Sequence, residues 1–179
     1  MARRAASLHD LWPRLDALAR AAFPATATLL GAILLALPQG LAGQSALSPA
    51  WLFAAVFFWS LYRPAALPPL VIFALGLFAD LQGGGPIGLD AIVLLALGAA
   101  TRRWRRGLAQ QSFLLTWLAF AALAPSGMAL SYALTALFTL TILPPIPAVA
   151  AAALAIGLYP LLALFLIRVH RGLAHGAPG

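Results

Sequence analysis

The stretch GLFADLQGGGPIGLDA, Gly76 to Ala91, carries two of the chain's four acidic residues, Asp80 and Asp90, on either side of a triple glycine and a Pro-Ile-Gly turn. An apolar run leads into it and another leads out. The pattern predicts a tight reversal between two apolar helices, with carboxylates at its edge. The rest of the chain is as apolar as these runs: 63% of its 179 residues are hydrophobic and 8% are charged. A soluble domain carries about 25% charged residues. So much apolar surface cannot be hidden inside a small water-soluble fold, and the chain reads as an integral membrane protein.

All eleven basic residues are arginine, glutamate and lysine are absent, and the net charge is +7. Basic residues gather at cytoplasmic helix ends, where anionic lipid attracts them, so the basic pI does not point to nucleic acid. With no cysteine there is no disulfide framework, thiolate metal site or thiol redox chemistry. Arg3 and Arg4 precede the first apolar run, but the lead-in is long and the run exceeds a signal h-region, so this run reads as a retained span.

A helix needs about 20 apolar residues to cross the hydrocarbon core. Six runs are candidates: Ala22–Leu41, Ala50–Tyr62, Leu67–Leu81, Ile87–Thr101, Ser112–Ile142 and Val149–Ile167. The fifth is long and holds Pro125-Ser126-Gly127, which predicts a kink. Splitting it would give seven spans and strand the C-terminal arginines on the other side. With six spans every arginine falls on one side, taken as cytoplasmic, and the connections Pro38–Pro49, Gln82–Pro86 and Leu143–Pro147 on the other side hold none. The expected fold is therefore an all-α, six-helix transmembrane bundle with both termini cytoplasmic. Residues 1–21 form a cytoplasmic segment, 22–168 the membrane domain and 169–179 a short tail. Spans two and three are short, so they are expected to pack inside the bundle or to bend partway. In residues 7–20 a stripe of Leu8, Leu11, Trp12, Leu15 and Leu18, with Ser7 and Asp10 as a cap, predicts a helix on the inner membrane surface, interrupted by Pro13.

Nothing points to catalysis. His9, His170 and His175 lie in the terminal segments, and no nucleophile elbow, phosphate loop or metal spacing is present. Asp90 falls in a helix first turn, where the dipole favours an anion. Asp80 falls at a helix C-terminus, where the dipole disfavours it, so the amides of the glycine-rich turn are its expected donors. A proton or cation site is the alternative. Trp59 and Arg63, four apart, are expected to stack and to anchor the opposite membrane face beside Pro64. Arg102, Arg103, Arg105 and Arg106 read as contacts to anionic lipid, or otherwise to a cytoplasmic partner. Gly127, Ser131, Thr135 and Thr139 recur every four residues, a small-residue stripe that suits close packing within the bundle or with a partner's single span.

The block Trp59–Ala91 resembles the rod shape-determining protein MreD family. The matching residues are W-S-L-Y-R-P from Trp59 through Arg63-Pro64, G-L-F-A-D-L from Gly76 through Asp80, the glycine-rich turn with Gly84, and P-I-G-L-D-A with Pro86, Gly88 and Asp90. The resemblance implies a non-enzymatic inner-membrane component of bacterial cell-wall elongation, without cofactor, that determines rod shape. It implies binding to MreC and action beside MreB, RodA and a penicillin-binding transpeptidase. It also implies a bundle similar to the substrate-binding subunits of energy-coupling-factor transporters. A vitamin-binding subunit is thus the alternative function, though the spans offer it few polar groups beyond Ser60, Ser131, Tyr132, Tyr159 and the threonines. A proton-coupled transporter ranks third, because both acids lie near the outer edge.

Overall fold

A computed structural model describes residues 8–37, 44–141 and 144–175. The described chain is all helical: α1 (Leu8–Ala36), a 3-10 turn (Gln44–Ala46), α2 (Leu47–Tyr62), α3 (Pro69–Gly83), α4 (Leu89–Leu108), α5 (Phe113–Thr139) and α6 (Ile146–His175). These are the six helical runs read from the sequence, with shifted ends. The long fifth run is one helix that continues through Pro125, so the seven-span division does not arise. Pro125 removes the amide that would bond the Ala121 carbonyl, and the next hydroxyl, Ser126 Oγ, donates to Ala122 O at 2.7 Å.

The N-terminal segment differs from expectation. α1 runs unbroken from Leu8 to Ala36 through Pro13 and Pro24, so the separate surface helix expected over residues 7–20 is continuous with the first apolar run. The expected boundary at 21/22 falls inside this helix.

α2 is the centre of the fold. Every residue from Ala50 to Leu61 is buried. Its sequence has no polar face, and a helix that is apolar all round is stable only where other protein surrounds it. It packs against α1, α4 and α6 and touches α5. An aromatic cluster ties three of these helices: Phe120 of α5 stacks on Tyr159 of α6 with centroids 4.3 Å apart, and Phe57 of α2 lies 5.2 Å from Phe120 and 5.8 Å from Tyr159. Indole donors reach across helices as well, Trp51 Nε1 to Thr28 O at 2.8 Å and Trp117 Nε1 to Ile156 O at 3.0 Å.

Spans two and three were expected to pack inside the bundle or to bend partway; α3 instead lies at the periphery. Its buried residues are Ile72, Leu75, Gly76 and Asp80, a single stripe that packs on α4, while Leu70, Phe73 and Leu81 are exposed. The α3–α4 hairpin closes tightly because Gly76 has no side chain: a Cβ there would run into the backbone of Ala91.

Two helical segments, Phe113–Thr139 and Ile146–Phe165, are long and apolar enough to cross a membrane. Ala22–Ala36, Leu47–Tyr62 and Pro69–Gly83 are apolar but shorter. At 1.5 Å per residue α2 spans about 24 Å, less than the roughly 30 Å hydrocarbon core.

Candidate functional site

The polar residues of the hairpin sort to its two ends. At one end α3 closes into α4. Gly84 ends α3 with φ 64° and Gly88 precedes α4 with φ 102°, left-handed conformations that favour glycine. Gly84 N donates to Asp80 O at 3.2 Å and seals the last turn of α3. The Asp80 side chain is 4% exposed and points across the hairpin. Its Oδ2 accepts from Gly88 N and its Oδ1 from Asp90 N, both at 2.8 Å. A carboxylate on α3 thus caps the amino end of α4, where unpaired amides and the helix dipole attract negative charge. The expectation that Asp80 finds turn amides matches this geometry.

Asp90 lies in the first turn of α4, and its Oδ1 accepts from the Ser131 hydroxyl of α5. Ser131 O in turn accepts from Thr135 Oγ1 at 2.9 Å. Three helices are thereby joined in series, α3 to α4 through Asp80 and α4 to α5 through Asp90. Beside them Ser48 of α2 donates to Gln82 Oε1 at 2.8 Å and contacts Ala32 O of α1 at 3.4 Å.

A cavity of about 280 Å³ opens next to Asp90, lined among others by Leu52, Phe53, Leu94, Met128, Ser131 and Tyr132. A second, of about 480 Å³, shares Ser45, Pro49, Leu52, Ala79 and Asp90 with it. Among the described residues, no three of the histidine, cysteine, aspartate and glutamate type gather to hold a metal. The side chains of His9, His170 and His175 lie outside the described ones.

At the opposite end, α4 reaches back to the loop between α2 and α3. Arg105 Nε donates to Leu61 O at 2.7 Å, and Arg102 Nη2 donates to Leu67 O. Leu61 O lies in the last turn of α2, where positive charge is favoured, and Leu67 O lies in the loop just before α3. Arg103, Trp104 and Arg106 are exposed. The arginine cluster, read from sequence as contacts to anionic lipid or otherwise to a cytoplasmic partner, is divided: Arg102 and Arg105 donate to backbone carbonyls, Arg105 while remaining exposed, and Arg103 and Arg106 are exposed. Their i, i+3 spacing signals two faces, but sequence does not say which face meets protein.

One further expectation is corrected. Trp59 is fully buried, with its ring edge to face against Phe58 at 5.2 Å. It is a core residue rather than an interfacial anchor stacked on Arg63. What joins the pair is a backbone bond from Arg63 N to Trp59 O at 2.8 Å, which ends α2 before Pro64. Of the two placements open for the stripe on α5, Gly127, Ser131 and Thr135 take the one within the chain's own bundle: a Cβ on Gly127 would lie 2.7 Å from Phe53 of α2, Ser131 bonds Asp90, and the Thr135 methyl lies near Gly85, while Thr139 is exposed. Small residues are needed at Gly127, Ser131 and Thr135 because α5 closes on α2 and α4 there. The polar groups considered for a vitamin site are split as well. Ser60 and Tyr159 are buried in the core, while Ser131 and Tyr132 line the cavity.

Comparison with known proteins matches the sequence resemblance. A family model for the rod shape-determining protein MreD matches residues 21–169, which include the whole α2–α5 region and both ends of the hairpin. No curated protein and no solved structure matches. The family is one of membrane-associated shape-determining components and is not a known enzyme family. On this match over most of its length, the chain belongs to the MreD family of rod shape-determining proteins.

Proposed function

We propose that this protein is a non-enzymatic, multi-pass inner-membrane scaffold of cell-wall elongation that binds MreC and, through it, organises the peptidoglycan synthases beside MreB. The observation that carries the reading is the family match over residues 21–169. The fold supports it physically. The α3–α4 hairpin is closed at one end by Asp80, and at the other α4 is held to the loop before α3 by Arg102 and to α2 by Arg105, an arrangement that suits a fixed surface better than a moving gate. Arg63 and Arg102–Arg106 gather at one end of the bundle, and Asp80 and Asp90 at the other. On this reading the arginine end is cytoplasmic by the positive-inside rule, both termini with it, and the Asp80 turn lies outside. Arg103 and Arg106 then meet anionic headgroups.

The test is a tagged pull-down from native membranes in mild detergent. Recovery of MreC with the wall synthases supports the scaffold. Recovery of an ATPase module with a stoichiometric vitamin overturns it in favour of a transporter subunit. Orientation is read separately. The chain has no cysteine, so single cysteines at positions 83 and 107 report sidedness to an impermeant maleimide. Labelling of position 83 alone in intact spheroplasts is expected, and the reverse pattern refutes the topology.

A further inference from the structure

We propose that the cavity beside Asp90 is a binding site for a small amphiphilic amine, one protonated nitrogen on a compact apolar body, with Asp90 as its counter-ion. This inference does not depend on the partner reading above. Its basis is the unequal use of the two carboxylates. Both oxygens of Asp80 are taken by amides of α4. Asp90 has Oδ1 bound by Ser131, and among the described residues nothing hydrogen-bonds its Oδ2. Asp90 stands in the wall of both cavities at this end of the bundle. An ionisable group facing a cavity among membrane-spanning helices calls for a partner.

The surroundings choose the chemistry. The described arginines near the hairpin cluster at the far end, where Arg102 and Arg105 are engaged with backbone, so the field around Asp90 is set by two carboxylates and favours a cation. Of the wall hydroxyls, Ser131 donates to Asp90 and Thr135 to Ser131 O at 2.9 Å, and those of Ser45 and Tyr132 complete the polar part of the lining. Most of the rest of the wall is apolar, Leu52, Phe53, Leu94 and Met128 among it, which suits a hydrocarbon body better than a sugar or polar vitamin, which would need more groups to bond. A bare divalent ion is a poor fit, because one carboxylate and a few hydroxyls fall short of the roughly six to eight oxygens it takes. The volume of about 280 Å³ leaves room for a body at least as large as a single six-membered ring.

The experiment uses the full chain in a neutral maltoside detergent, with cyclohexylammonium chloride and cyclohexanol as probes, read by saturation-transfer NMR and calorimetric titration. Saturable single-site binding of the amine is expected, at least about tenfold tighter than the alcohol, as a charge-assisted hydrogen bond supplies. Asp90→Asn retains an acceptor for Ser131 and removes the charge, and it is expected to bring the amine down to the level of the alcohol. Ala148→Phe, which fills the cavity from α6, is expected to abolish binding of both probes. Equal binding of amine and alcohol, undiminished amine binding in Asp90→Asn or in Ala148→Phe, or no saturable binding at all overturns the proposal. The wild-type comparison of the two probes decides the question even if a variant fails to fold.

Discussion

Replacing Asp80 by alanine removes two hydrogen bonds at once and leaves the amides of Gly88 and Asp90 without their acceptor. A hydrogen bond to a charged group contributes about 1.5–3 kcal/mol, so the pair sets an upper bound of about 3–6 kcal/mol. Two effects lower that figure. Gly88 and Asp90 are only half-buried, so water re-solvates part of the amino end of α4. Loss of the Asp80 charge also relieves its repulsion with Asp90. The expected cost of Asp80→Ala is about 2–3 kcal/mol, just above the range of a lost N-cap. For a chain of this length that corresponds to a fall in Tm of roughly 5–10 °C. Asp80→Asn keeps one acceptor and is expected to cost about half as much. The assay is thermal unfolding of the full-length protein in detergent, with hydrogen exchange of residues 84–92 as the local readout. A stability change within about 0.5 kcal/mol, with unchanged protection of the Gly88 and Asp90 amides, would refute the capping argument. On the scaffold reading the loosened turn also lowers the yield of MreC in the pull-down, and an undiminished yield would detach Asp80 from assembly.

Gly76→Ala is expected to destabilise by more than about 2 kcal/mol, because the added methyl meets the Ala91 backbone and no rotamer relieves it. Gly83→Ala, with nothing within 4 Å of the new methyl, is expected to be neutral or to stabilise by up to about 1 kcal/mol; parallel unfolding curves check both. A cycle of Gly76→Ala, Asp80→Ala and the double variant is expected to be non-additive by at least about 0.5 kcal/mol, since the first shifts the helix that carries the acceptor away from the helix that carries the donors. Arg105→Ala is expected to cost about 1 kcal/mol in unfolding experiments by freeing Leu61 O, whereas Arg103→Ala leaves stability unchanged and weakens retention on anionic vesicles.

Which parts of this were legible in the sequence follows from range. The helices are set by local apolar runs and by proline and glycine punctuation, so their number and order could be read directly. Asp80 was legible because a carboxylate at a helix C-terminus is locally unfavourable, and the only nearby remedy is the run of amides that follows it. The depth of Trp59 was not legible: a tryptophan one turn before Arg63 has the same local pattern at a membrane interface and in a core. What decides is that α2 is enclosed on every side, a property of the other helices. The bond from Ser131 to Asp90 joins residues 41 apart, and those from Arg102 and Arg105 span 35 and 44. No periodicity encodes such pairs. The stripe through Gly127 was visible as small residues, but its direction depends on Phe53 of α2 filling the space a side chain would take.

The placement of the acceptor on α3 has a physical cause. A helix is ordinarily capped by a serine, threonine, aspartate or asparagine at its own N-cap. Here that position is Gly88, held at φ 102°, where a side chain would be strained. The turn that brings α4 back against α3 therefore excludes the residue types that would cap α4 locally. The acceptor has to come from elsewhere, and the last buried position of α3 is the nearest that points at those amides. This couples the cap to the packing. Asp80 reaches Gly88 and Asp90 only in the register fixed by Gly76 against Ala91, one turn earlier on the same stripe. A hairpin slipped by one residue leaves the amides bare and turns a buried carboxylate toward an apolar face, with two penalties of the same sign. The residues that make the turn tight are thus the ones that make its register unique. A pair of short helices with little polar surface of its own gains in this way a single way of closing.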